Sequence, residues 1–212
     1  LFQPTALVGA IAIAMGFSAT ASAQDSVNAS LDTLVVTATR SEEKVKDVPA
    51  RITVISKSEI EKNPALNLSD LIQRDPSVFV KQSGGIGQIT EISIRGTRPN
   101  HTLILKDGAR LNSQNHLAAI YPSFLDSSDL EQIEILKGPA SVQYGTDAIG
   151  GVIQMISSTP TKNSGFITGI YGENNTYKAI AGADLTQDGF YAQIRGQRLE
   201  SDGTRVLDNQ SK

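Results

Sequence analysis

Few side chains in this chain could carry chemistry. It has two histidines, His101 and His116, and no cysteine. Disulfides, Cys-ligated zinc and thiol catalysis are therefore excluded. Neither histidine has a second plausible ligand nearby in a metal-binding pattern, so no metal site is expected. No Ser–His–Asp or paired-carboxylate arrangement follows from the spacing, so no catalytic site and no cofactor are expected either. Two stretches instead offer hydrogen bonding. Ser83-Gly84-Gly85-Ile86-Gly87-Gln88 is a flexible loop, and Asn112 to Pro122 is polar and irregular. Glycines and amide side chains suit close approach to a polar ligand. The first stretch is not a dinucleotide fingerprint, because Thr90 stands where the third glycine belongs and no βαβ unit surrounds it.

The chain has 212 residues, a formal net charge of -3 and 39% hydrophobic residues. That balance presents no basic face for nucleic acid. No apolar run beyond the N-terminus approaches the roughly 20 residues of a spanning helix. Ala6 to Phe17 is apolar, and Ala21-Ser22-Ala23 is an A-x-A-type cleavage site. Residues 1–23 are read as a secretory signal peptide, whose basic start is expected to lie upstream of Leu1.

The elements that would position the polar loops are legible from period and punctuation. Gln132 to Lys137 alternates, with Ile133, Ile135 and the stem of Lys137 on one face and Glu134 and Leu136 on the other. Gly138-Pro139 stops this strand. A short helical piece over Ala140–Tyr144, a glycine bend at Gly145 and Gly150-Gly151, and a strand over Val152–Ile156 follow. Earlier strands are expected at Arg51–Ile55, Val78–Val80, Glu91–Gly96 and His101–Leu105. Asp107-Gly108 supplies a type I′ hairpin turn to Ala109–Leu111. Ser58 is the expected cap of a helix from Glu59, and Asn67 or Ser69 caps the next, with Leu68, Leu71 and Ile72 as its apolar stripe.

After Pro160 the helix signals end. Phe166–Tyr171, Tyr177–Leu185 and Phe190–Leu199 are amphipathic strands joined by short turns, the pattern of a transmembrane barrel. Three strands cannot close, and open edges cannot face lipid, so the chain is expected to be the N-terminal part of a longer protein.

Several of these stretches together resemble TonB-dependent outer-membrane receptors. Glu134-Ile135-Leu136-Lys137-Gly138-Pro139-Ala140-Ser141-Val142-Gln143-Tyr144-Gly145, continued by Ala148-Ile149-Gly150-Gly151-Val152-Ile153, is similar to the signature that ends their plug domain. Ile92-Ser93-Ile94-Arg95-Gly96 and Asp107-Gly108 match further family motifs, and the plug resemblance covers about residues 32–158. Asp32-Thr33-Leu34-Val35-Val36-Thr37-Ala38 resembles a TonB box, most like that of the cobalamin receptors. Such a strand, in a tail with no core of its own, suits addition to a partner's sheet edge.

The resemblance implies an α+β plug domain with a mixed four-to-six-stranded sheet and short helices, followed by the first antiparallel strands of a transmembrane β-barrel. The expected divisions are signal peptide 1–23, TonB box and flexible linker 24–47, plug 48–158 and incomplete barrel 159–212. It implies a receptor rather than an enzyme, in the outer membrane of a Gram-negative bacterium. The implied partners are TonB of the inner-membrane energising complex and a scarce large nutrient, cobalamin first, with a ferric siderophore or haem as the alternative. An uncoupled outer-membrane binding or adhesion barrel is the competing reading. Apical substrate loops of the cobalamin-receptor type match Ser83, Gly84, Gly85, Gln88, Asn112, Gln114, Asn115 and His116. Arg95, Glu134 and Lys137 are the implied contacts between plug and barrel, with Arg95 and Lys137 in adjacent parts of the plug sheet.

Overall fold

Alternating apolar residues dictate where the central sheet puts its two faces. The computed structural model describes residues 34–35, 43–48, 50–63, 65, 67–84, 88–112 and 127–203. Five strands make the sheet, in the order β3-β8-β9-β6-β7. They are β3 (Arg51–Ser56), β6 (Thr102–Lys106), β7 (Ala109–Arg110), β8 (Leu130–Lys137) and β9 (Gly151–Ser157). The β6–β9 pair is parallel and the other pairs are antiparallel, so the sheet is mixed as expected.

Ile133, Ile135, Ile153, Met155 and Ile104 project to one face of it. There they pack with Ile60 of α1 (Lys57–Lys62) and with Leu68, Leu71 and Ile72 of α2 (Leu68–Ile72). Val78, Ile92 and Ile94 join this core from a separate two-stranded hairpin, β4 (Val78–Gln82) and β5 (Thr90–Ile94). Leu103, Leu105, Leu136 and Val152 project to the other face and pack with Ala140 and Ala148. One turn of helix, α3 (Ser141–Tyr144), lies beside them, and Tyr144 packs against this cluster. Gly145 (φ 85) ends that turn, a conformation that suits glycine. Asp107 (φ 48) and Gly108 (φ 80) form the hairpin turn with both residues left-handed, as a type I′ turn requires.

Three details differ from the sequence expectations, and one open choice between two caps is settled. Helix α1 is capped by Ser56 rather than Ser58, because Glu59 reaches back to accept the Ser56 N–H at 2.8 Å. Of the two candidate caps of α2 it is Asn67 that acts, its side chain accepting the Asp70 N–H at 3.1 Å. Arg95 is not part of a strand: β5 ends at Ile94, and Arg95 (φ 54) and Gly96 (φ 74) turn the chain through left-handed conformations. It therefore follows the two-stranded hairpin and does not lie in the sheet that carries Lys137. Finally, Leu34 and Val35 do not stand as an isolated strand. Strand β1 (Leu34–Val35) pairs antiparallel with β2 (Glu43–Lys44), and Val35 is fully buried. The pairing of β1 supplies the backbone partners that an isolated strand would lack.

After residue 158 the architecture becomes a three-stranded antiparallel sheet, β10 (Ser164–Tyr171), β11 (Tyr177–Gln187) and β12 (Phe190–Glu200). Its β11–β12 turn again uses two left-handed residues, Asp188 (φ 48) and Gly189 (φ 83).

Candidate functional site

The loop that joins β4 to β5 carries the first set of proposed ligand contacts. Strand pairing closes its base, with the Ser83 N–H donating to the Ile89 carbonyl at 3.0 Å. Ser83, Gly84 and Gln88 are exposed there. The Gln88 side chain lies over Gly84: a Cβ on Gly84 would come within 2.9 Å of Gln88 Cγ. Gly84 therefore permits a close approach, as its residue type suggests. Gly85 falls outside the described residues.

The second set is placed differently. Asn112 is buried, and both ends of its amide are occupied by the backbone of β6. Its Oδ1 accepts the Ile104 N–H at 2.6 Å, and its Nδ2 donates to the Thr102 carbonyl at 2.8 Å. Asn112 thus continues the β6–β7 ladder with a side chain. Gln114, Asn115 and His116 lie outside the described residues.

The three residues expected to touch a surrounding barrel also separate. Arg95 is exposed, with Nη1 3.6 Å from the position a Cβ on Gly138 would take, so it lies beside the Lys137-Gly138 turn. Glu134 is wholly buried, and Gln132 Nε2 donates to its Oε1 at 2.7 Å. At zero exposure it offers no surface to a wall. Lys137 is mostly buried and is ion-paired within the plug, its Nζ 2.7 Å from Oδ2 of Asp75.

Asp75 is a residue that the sequence reading passes over. Burial pushes its carboxyl up, but the bonds from Lys137, Ser77 and Thr53 outweigh this and hold it at about 2. Asp75-Pro76-Ser77 is an Asx-turn pattern, with Asp75 Oδ1 accepting the Ser77 N–H at 2.8 Å, and that local signal is readable from the residue types.

The strands after the plug have two distinct faces. Facing inward, Asp184 accepts from Ser164 Oγ at 2.7 Å and from Arg195, whose guanidinium stacks 5.1 Å from the Phe166 ring centroid. Gly182 leaves room for that stack. A cavity of about 630 Å³ separates this face from the plug, lined by Lys57, Ile60, Leu130, Phe166, Ile180 and Arg195 among others. On the opposite face Ile167, Tyr171, Leu185, Phe190 and Ile194 are exposed, Ile167 by 87% and Phe190 by 83%. No helix among the described residues is long and apolar enough to cross a membrane. The described residues contain no cluster of His, Asp and Glu that could hold a metal ion.

Comparisons agree with this geometry. Residues 44–152 match the family model described as the TonB-dependent Receptor Plug Domain. Two curated relatives are the "Vitamin B12 transporter BtuB" of Vibrio vulnificus strains CMCP6 and YJ016. They are 39% and 36% identical to this chain over 180 residues, which are 84% and 82% of this chain and 29% of each relative. The chain thus spans less than a third of their length. Among solved structures, the pyoverdine outer membrane receptor FpvA of Pseudomonas aeruginosa PAO1 aligns with a TM-score of 0.67 at 21% identity. That alignment covers 79% of this chain and 24% of FpvA. The siderophore receptor PirA of Acinetobacter baumannii aligns with a TM-score of 0.56 at 28% identity, over 76% of this chain and 26% of PirA.

Proposed function

The chain belongs to the TonB-dependent receptor plug family, and from that premise we propose that it is the N-terminal part of an outer-membrane receptor that imports cobalamin with energy supplied through TonB. The observation that carries the substrate is the 39% identity to a vitamin B12 transporter across most of this chain. The membrane placement is supported by β10–β12, whose outward apolar residues and inward polar cluster have the two-sided character of barrel strands.

In this reading residues 1–23 direct export, 24–47 hold the coupling segment, 48–158 form the plug, and 159–212 begin the barrel. Ser83, Gly84, Gly85 and Gln88 meet the substrate from the plug, with Gln114, Asn115 and His116 contributing from the second loop. Asp32 to Ala38 forms the strand that adds to TonB, where backbone hydrogen bonds supply affinity. Its central pair Leu34–Val35 is bound to Glu43–Lys44 along one edge in this state. Arg95, an exposed cation beside Gly138, meets carboxylates of the barrel wall in this reading. The protein acts as a transport receptor and performs no covalent chemistry on its cargo.

The test is uptake. The full-length receptor is expressed in cells lacking their own cobalamin receptor, and accumulation of labelled cobalamin is measured with and without TonB. Accumulation that requires TonB supports the reading. Accumulation of a ferric siderophore and not of cobalamin replaces the substrate, and surface binding without accumulation in either strain identifies an uncoupled barrel.

A further inference from the structure

Strand β3 is the first strand of the central sheet in the chain and one of its two edges. It pairs with β8 alone in that sheet, from Arg51 opposite Lys137 to Ser56 opposite Gln132. No residue of β3 is buried, whereas five consecutive residues of β9, Gly151 to Met155, are. Apolar packing therefore holds β3 less firmly than it holds the strands behind it. A load on the segment before residue 50 reaches Arg51 before any other residue of the sheet.

Close to that end sits one buried polar node. The Asp75 carboxylate, 2% exposed, joins three elements. Its Oδ2 is 2.7 Å from Lys137 Nζ at the end of β8. Its Oδ1 accepts from the Ser77 N–H at 2.8 Å and the Ser77 hydroxyl at 2.6 Å, which fixes the turn after α2. Thr53, two residues into β3, lines the same cleft as Asp75 and Lys137, and its side chain helps hold the carboxyl ionised. A charge-assisted hydrogen bond to a buried carboxylate is stronger than a neutral one, and removing one member of a buried pair leaves the other uncompensated.

We infer that Asp75 is the latch of the edge strand: its contacts with Thr53 and Lys137 set how readily β3 leaves β8 when the N-terminal segment is pulled. The inference rests on the coupling reading above for its biological setting, but its test does not require TonB. Asp75 is a positioning residue, acting on Thr53 and Lys137 and touching no substrate.

The experiment pulls on a handle attached before residue 50 of the full-length receptor held in a lipid bilayer, and follows successive release events at fixed load. Asp75→Asn raises the rate of the first event by about tenfold or more, and Lys137→Gln does so as well. Thr53→Val, which keeps the ion pair and loses one hydroxyl, gives a smaller rise. Later events and cobalamin binding at the cell surface are unchanged. A first event that keeps its rate in all three variants overturns the inference. So does a common acceleration of every event with loss of surface binding, which marks a general structural role. If Asp75→Asn does not assemble, Thr53→Val decides alone. Normal transport by a receptor with a broken coupling strand would instead remove the coupling reading and leave the latch standing.

Discussion

Asp107 and Ser157 are joined twice: the Ser157 N–H and hydroxyl donate to the Asp107 carboxylate at 2.8 and 2.7 Å. The pair ties the β6–β7 turn to the last residue of β9. Asp107 also holds a left-handed backbone, at φ 48. Asp107→Ala loses both bonds and keeps the strained conformation, a cost of about 2 kcal/mol. Asp107→Asn tolerates that backbone and retains an acceptor, so it costs under about 1 kcal/mol. Urea titration of the refolded chain measures both; equal midpoints for the two variants would mean that the bonds to Ser157 contribute nothing.

Stability should fall at low pH through Asp75. Its carboxyl titrates at about 2 in the fold against an ordinary 3.8. A carboxyl lowered on folding contributes above its unfolded value and loses that contribution as pH falls through its folded value. The contribution is about 2 kcal/mol near neutrality and fades between roughly pH 4 and pH 2. Asp75→Asn removes this part of the acid limb. The measurement is the unfolding midpoint against pH for both proteins, and parallel acid limbs would exclude Asp75 as their source.

The two proposed ligand loops should respond differently to truncation. Gln88→Ala removes an exposed amide beside Gly84, and is expected to weaken substrate binding with stability unchanged within about 0.5 kcal/mol. Asn112→Ala strands the Ile104 N–H and the Thr102 carbonyl, and costs about 1–3 kcal/mol. Isothermal titration and thermal unfolding of the full-length variants separate the effects. Lost affinity at unchanged stability in Asn112→Ala would make that residue a ligand contact.

The outward face of β10–β12 should be sensitive to charge. Ile167→Arg or Ile194→Arg costs about 2–4 kcal/mol near mid-bilayer, where a cation meets lipid. Gln197→Arg, on the inward face opposite Ile180, stays within about 0.5 kcal/mol. Folding of the full-length receptor into vesicles is the assay. An equal penalty on both faces would show that the outward face does not meet lipid.

Most of the fold is legible in the sequence because its signals are local. Alternation assigns Ile133 and Ile135 to one core and Leu136 to the other. Asp-Gly turns at 107–108 and 188–189 demand left-handed backbones and have them. Other features depend on partners distant in sequence. The Asp75–Lys137 pair joins the turn after α2 to the end of β8, residues far apart in the chain. The burial of Asn112 depends on β6 returning beside it, so residue type alone makes a polar loop residue look like a ligand contact. The pairing of Leu34–Val35 with Glu43–Lys44 escapes sequence reading because two-residue strands carry almost no periodic signal.

TonB-driven import through the N-terminal strand is tested most directly by Val36→Pro in the full-length receptor, with Val36→Ala as control. Proline removes a backbone donor and restricts Val35 before it. Alanine keeps the donor and changes strand propensity by at most about 1 kcal/mol. Uptake and surface binding of labelled cobalamin are measured separately in whole cells. The expected result is that Val36→Pro abolishes uptake with near-normal surface binding, while Val36→Ala is mild. Normal uptake by the Pro variant contradicts the coupling role, and joint loss of binding and expression marks the segment as a structural strand instead.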